Sequence, residues 1–220
     1  MTRTRLLSLG GAALVGSAVL SLAGGLAHPV VDGRAHSVDA LLAPGSPWGQ
    51  LSIYAGALLL MFGLPAAYAW LAPRVGVLGF LGFSGYFLGN AVSAQAHLVV
   101  EALVAPEIAR RAPELIPDDE AIVAAEPFAL IQVVGGLVLV IGLIVLGVAL
   151  VRQPGALRWA GVFAILGGLA TFVPLPQAPI LTGLQIELFR GLAVAVLGVV
   201  LIRAAARTAA PSDDRAPVHV

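Results

Sequence analysis

The sequence predicts an all-α integral membrane protein, a polytopic bundle of six transmembrane helices with both termini cytoplasmic. Three observations predict it. Of 220 residues, 59% are hydrophobic and 11% charged, whereas ordinary soluble domains carry roughly a quarter charged residues. With a mean hydropathy of +0.98, a soluble fold of this length could not hide its apolar surface, so lipid is the expected solvent. The apolar runs are separated by short polar turns, and the arginines collect on alternate turns. That alternation is the signature of a multi-pass chain obeying the positive-inside rule.

The first expected span is residues 6–27, behind Arg3 and Arg5. A positive start and an apolar run also fit a secretory signal peptide, but a signal core is usually ~7–15 residues long. The run here is longer, so a retained helix is expected, with His28 outside. Residues 28–47 read as a polar loop punctuated by Gly and Pro, carrying Asp32, Arg34, His36 and Asp39. The second span is 48–71, with Pro65 inside it as a candidate kink. Ala72, Pro73 and Arg74 form a tight turn into the third span, 75–104, which Pro106 is expected to end. The segment after it holds Glu107, Glu114, Asp118, Asp119, Glu120 and Glu126 against Arg110 and Arg111.

The fourth span is 128–151, closed by a Pro154-Gly155 breaker. The fifth is 157–172, and the proline run at Pro174, Pro176 and Pro179 makes a short outer loop. The sixth is 180–202. Residues 1–207 therefore read as one transmembrane domain, and 208–220 as a disordered cytoplasmic tail. With the N-terminus inside, Arg3, Arg5, Arg74, Arg152, Arg158, Arg203 and Arg207 are all inner. Trp70 and Trp159 fall at the inner interface, Trp48 and Tyr54 at the outer one.

Composition also excludes. The absence of cysteine removes disulfides, Fe–S clusters and thiolate metal sites. All twelve basic residues are arginine, which with so much Ala, Gly and Val suits a GC-rich bacterial genome and an inner (cytoplasmic) membrane. A net charge of zero gives no reason to expect nucleic acid.

Chemistry is carried by polar residues in the outer third of the membrane core. Counting ~1.5 Å per residue from the inner arginines puts Asn90 and Glu187 at ~24 Å and Arg190 at ~20 Å in a core about 30 Å thick. His97, Gln132 and His28 come out near the outer boundary by the same count. On the third span Asn90, Ser93, His97 and Glu101 follow helical spacing and share a face. An arginine as deep as Arg190 needs an acid, a carbonyl or water, so it should face the bundle interior with Glu187 or Glu101 as partner. The expected ligand-binding set is Asn90, His97, Glu101, Gln132, Glu187 and Arg190, with no catalytic residue and no metal ligand assigned and the cofactor unknown. Against it stands the plainer expectation that these groups only fix helix register. His28, His36, His97 and Glu101 form an alternative, since imidazole and carboxylate suit zinc or iron, but no compact ligand motif joins them. Gly85, Gly89, Gly135 and Gly136 are expected to let helices approach within one chain rather than to form a dimer face.

The runs GVLGFLGFSGYFLGN (76–90), EALVAPEIARRAPEL (101–115) and LRWAGVFAILGG (157–168) resemble a loose group of uncharacterised small multi-span membrane proteins from GC-rich bacteria. The resemblance covers about residues 75–200. It implies the topology and no reaction.

Three readings of function follow. The first is a membrane protein with an outward-facing polar pocket for a small solute or lipid, serving transport or sensing. The second is a structural or accessory subunit whose glycine-notched helices dock a membrane protein partner or a second copy. The third is a membrane-embedded enzyme using His97 and Glu101.

Overall fold

The computed structural model describes residues 2–117, 122–123 and 125–209. Asp118, Asp119 and Glu120 of the acidic segment, and residues 210–220 of the expected tail, lie outside the described residues. Helix accounts for 81%, and among the described residues there is no strand.

Helix α1 (Arg3–Ala27) starts where Thr2 Oγ1 accepts from Arg5 N and ends at His28, whose backbone is extended. A short helix α2 (Val38–Leu41), capped by the Ser37 side chain, lies in the connection to α3. Helix α3 (Trp48–Ser93) is interrupted at Gly76, with φ 57° and ψ −156°, a conformation essentially confined to glycine. In a straight helix Ala57 and Asn90 would stand ~50 Å apart. Instead, Asn90 Nδ2 donates to Ala57 O at 3.1 Å, and the Tyr68 and Phe83 rings meet with centroids 5.4 Å apart. So α3 is a hairpin of two antiparallel limbs. The expected turn at Ala72–Arg74 is displaced to Gly76, because helix can run through Pro73 at the loss of one hydrogen bond.

The second limb continues as a π-helix (Ala94–Val104) and then as α4 (Ala105–Arg111). Pro106 does not end this run. It occupies the first turn of α4, where its missing N–H needs no partner. A single 3₁₀ turn (Pro113–Leu115) follows. Helix α5 is Phe128–Val151, α6 is Ala156–Ala170 and α7 is Leu181–Ala209, so α7 takes in Thr208 and Ala209.

Among the described residues, four helical runs are long and apolar enough to cross a membrane: Arg3–Ala27, Trp48–Arg111, Phe128–Val151 and Leu181–Ala209; Ala156–Ala170 is apolar but shorter. Their burial pattern suits lipid. Phe62, Val77 and Leu130 are exposed, while Gln50, Asn90, Glu101, Glu187 and Arg190 are buried. Polar groups inside and apolar groups outside is the arrangement a hydrocarbon solvent favours.

The segments close into a ring. The first limb of α3 packs on α1, α1 on α7, α7 on α6, α6 on α5, and α5 on the second limb. Small residues make the contacts: Gly24 on Gly49, Gly183 on Gly25, Gly85 on Gly142 and Gly161 on Gly147. Lipid supplies no hydrophobic drive between helices, so close van der Waals approach at such residues holds the ring. The Gly85 and Gly89 step packs within the chain, against α5.

A Cβ at Gly89 would sit 2.1 Å from Leu139 N, whereas one at Gly136 would meet nothing within 4 Å. Gly89→Ala should therefore lower stability by about 1–3 kcal/mol as overpacking forces the helices apart. Gly136→Ala should be neutral or slightly stabilising. Denaturant unfolding in detergent, followed by circular dichroism, reads both; equal effects would mean that the limb–α5 contact is not close-packed.

Candidate functional site

Six helix ends meet at the end of the ring opposite Arg74 and Arg152, and enclose a cavity of about 650 Å³. The C-terminal ends of α1 and α6 and the N-terminal ends of α5 and α7 line it, with both limbs of the α3 hairpin. The two loops above are tied together, Ala35 N donating to Gln177 Oε1 at 2.7 Å. Gln185 on α7 donates to Ala170 O and Val173 O, at 2.8 and 2.6 Å, satisfying carbonyls at the end of α6. All six residues expected at a ligand site, Asn90, His97, Glu101, Gln132, Glu187 and Arg190, line this one cavity.

They form two groups. In the first, Arg190 Nε donates to Glu187 Oε2 at 3.0 Å and a second guanidinium nitrogen donates to the same oxygen. Of the two partners anticipated for Arg190, the structure pairs it with Glu187. Tyr86, fully buried, lies beside the pair, with no aligned hydrogen bond from its Oη. Gly167 allows the backbone of α7 at Arg190 to approach α6.

The second group surrounds Glu101, which has no exposed surface. His28 Nε2 lies 2.6 Å from Glu101 Oε1, His36 Nε2 3.7 Å from the same oxygen, and His97 Nε2 3.5 Å from Oε2. Gln50 Nε2 also donates to Oε1, at 3.2 Å. The rings of His28 and His36, and of His36 and His97, stand edge to face. His28 Nδ1 is 3.0 Å from Pro29 O, and His97 Nδ1 is 3.4 Å from Gln132 Oε1. Burial disfavours the imidazolium of His28, but the hydrogen bond and charge of Glu101 outweigh it, with help from the Pro29 carbonyl, and raise its pKa above the usual 6.5. Glu101 Oε2, Gln50 Oε1 and Gln132 Nε2 are buried without a hydrogen bond.

Glu101 and His97 sit on the π-helix, whose wider turn departs from the regular α-helical face expected from Asn90 to Glu101. Such segments are rare and concentrate at functional sites. Sequence reasoning left His28, His36 and Gln50 out of the ligand set. His28 and His36 were visible as outer-side imidazoles, but nothing local signalled Gln50. Among the described residues, His28, His36 and Glu101 offer ligand atoms all within 4.8 Å of one another, a spacing a metal ion could use.

No family model matches the chain, and no curated protein or solved structure was found similar to it.

The Glu187–Arg190 pair is buried and mutually satisfied, so removing one member strands a charge. Arg190→Met should cost about 3–5 kcal/mol, and the double variant Glu187→Gln/Arg190→Met less than the sum of its single changes. A double-mutant cycle from denaturant unfolding measures this; additivity would mean the two side chains do not interact.

Proposed function

We propose that this chain is a multi-pass protein of a bacterial inner membrane, crossing six times with both termini cytoplasmic. Its cavity takes a small solute or lipid from the outer side, for transport or sensing. One observation carries the reading: polar side chains from separate helices, a buried ion pair among them, converge on a single cavity rather than on a dry interface. Its volume of about 650 Å³ lies within the ~300–1,000 Å³ usual for small-molecule sites. Apolar Ile53, Leu139, Val140 and Ile186 share the lining with the polar groups, which suits a ligand with both characters.

The topology rests on the same frame. The hairpin of α3 counts as two crossings, and α6 as the fifth. Its 15 residues give ~22 Å of helix, and exposed Phe172, Val173 and Leu175 extend the apolar surface beyond it. Arg74, Arg152 and Arg158 then lie inside, and Arg110 and Arg111, both against Glu107, lie outside with the cavity. Helix α1 packs against both α3 and α7, which supports its retention as a membrane helix.

The chain has no cysteine, so single cysteines report without background. Asp39→Cys should react with a membrane-impermeant maleimide in intact spheroplasts, and Arg152→Cys only after lysis. Ser93→Cys, in the cavity wall, should react from outside with a small charged methanethiosulfonate. Adding Gly136→Phe, which fills the cavity, should slow that reaction by about tenfold or more. Reversed maleimide labelling would overturn the orientation. A Ser93→Cys thiol that is inert, or indifferent to Gly136→Phe, would overturn the open pocket.

A further inference from the structure

We propose that His28, His36 and Glu101 are the ligands of one divalent transition-metal ion of the zinc class. His97 stands beside it as a positioning residue, and the remaining coordination position faces the cavity. The inference is independent of the solute reading, since an open pocket can exist without a metal and a metal site without a transported solute.

Spacing is the first support. Ligand atoms about 2.0–2.1 Å from a tetrahedral ion lie about 3.3 Å from one another. His28 Nε2 and His36 Nε2 lie 2.6 and 3.7 Å from Glu101 Oε1, and all three residues offer atoms within 4.8 Å. These distances bracket the tetrahedral value, so small side-chain adjustments complete the set without moving a helix.

The second support is the outer hydrogen bonds. His28 Nδ1 is 3.0 Å from the Pro29 carbonyl, which can only accept, so Nδ1 carries the proton. In the neutral ring that leaves the Nε2 lone pair pointing at a carboxylate oxygen, an unfavourable contact unless a proton or a cation lies between them. Metal-bound histidines characteristically donate their other ring N–H to a carbonyl or carboxylate. Gln50, donating to Oε1, orients the carboxylate in the same way.

The third is the unused capacity of the buried groups. Glu101 Oε2 is fully buried with no hydrogen bond, and its neighbour is His97 Nε2 at 3.5 Å. Three imidazoles gather around this one carboxylate, and a metal ion would take two of them, those of His28 and His36, as neutral donors. Imidazole and carboxylate together select zinc, iron, nickel or copper over magnesium and calcium.

The test uses the full chain in detergent, stripped with chelator and titrated with Zn²⁺ and Co²⁺. We expect one equivalent per chain, a Co²⁺ d–d absorption of tetrahedral intensity, and a shift of that band on adding azide at the cavity-facing position. His36→Gln, in a loop, and Glu101→Gln should each weaken Zn²⁺ binding by at least about 100-fold, and His97→Gln and Gln50→Leu by about 10–100-fold, as outer partners do. Exposed Glu107→Gln should leave affinity unchanged. If Glu101→Gln fails to fold, the native titration and His36→Gln still decide. Less than half an equivalent of metal in the native chain, or unchanged affinity in His36→Gln, would overturn the site. A loss in His97→Gln as large as in His36→Gln would overturn the three-ligand assignment.

Discussion

A carboxylate without solvent exposure must be satisfied from within the protein, and Glu101 is that carboxylate. Leaving a charge unpaired in a membrane bundle costs several kcal/mol, and lipid offers no hydrogen bond to offset it. Glu101 draws its partners from the α1 terminus, the following loop, the start of α3 and its own π-helix. To bring them there, α3 must fold back at Gly76, and the loop holding His36 must lie over the bundle rather than extend into water. The hairpin, the roof and the cavity are thus consequences of one buried acid as much as of helix packing.

The ring of helices provides the rigidity such a site needs. Its contacts are made by glycine and alanine, with leucine filling the centre and larger apolar side chains facing outwards. Close backbone approach fixes each helix in rotation as well as in position, because a turn of one position would replace a small residue by a bulky one. On α7, Glu187 packs beside Gly25 of α1 and the Arg190 backbone beside Gly167 of α6. Their charges cancel locally, so the unsatisfied chemistry of the cavity is concentrated at the Glu101 end. The mixed lining follows from this division: neutral and apolar towards the centre of the bundle, imidazole and carboxylate towards the roof.

Much of this was legible in the residues. Residues 6–27, 48–71 and 128–151 read as spans because their apolar runs end in Arg, Gly or Pro, and helices occupy those stretches. By rise per residue Asn90, Gln132, Glu187 and Arg190 all fall in the outer third of the membrane core, and they line one cavity. The lateral arrangement was not legible. Buried faces here are glycine and alanine while exposed faces are leucine and valine, so amphipathicity is weak and gives no rotation about the helix axis. His28 meets Glu101 across 73 positions of sequence, and no spacing rule reaches that far. Nor does a local pattern announce a π-helix. Its residues Ala94–Val104 would satisfy an α-helix equally well by composition.

The loop after α1 closes over the π-helix and helps bring three imidazoles to Glu101. The most direct measurement is cross-linking of the pair His36→Cys/His97→Cys, whose native rings have centroids 5.2 Å apart, in a chain with no other cysteine. Ring contact sets the reach of the side chains rather than the ~4 Å Cβ separation a disulfide needs, so a homobifunctional thiol reagent with a spacer of about 8–10 Å, applied to native membranes and followed by mass spectrometry of the linked peptides, should join the two thiols within one chain. The pair His36→Cys/Arg74→Cys, at opposite ends of the bundle, should stay unlinked. If the thiols of His36→Cys and His97→Cys remain unlinked while each reacts freely with maleimide, the loop does not cover the π-helix and the convergence on Glu101 is wrong.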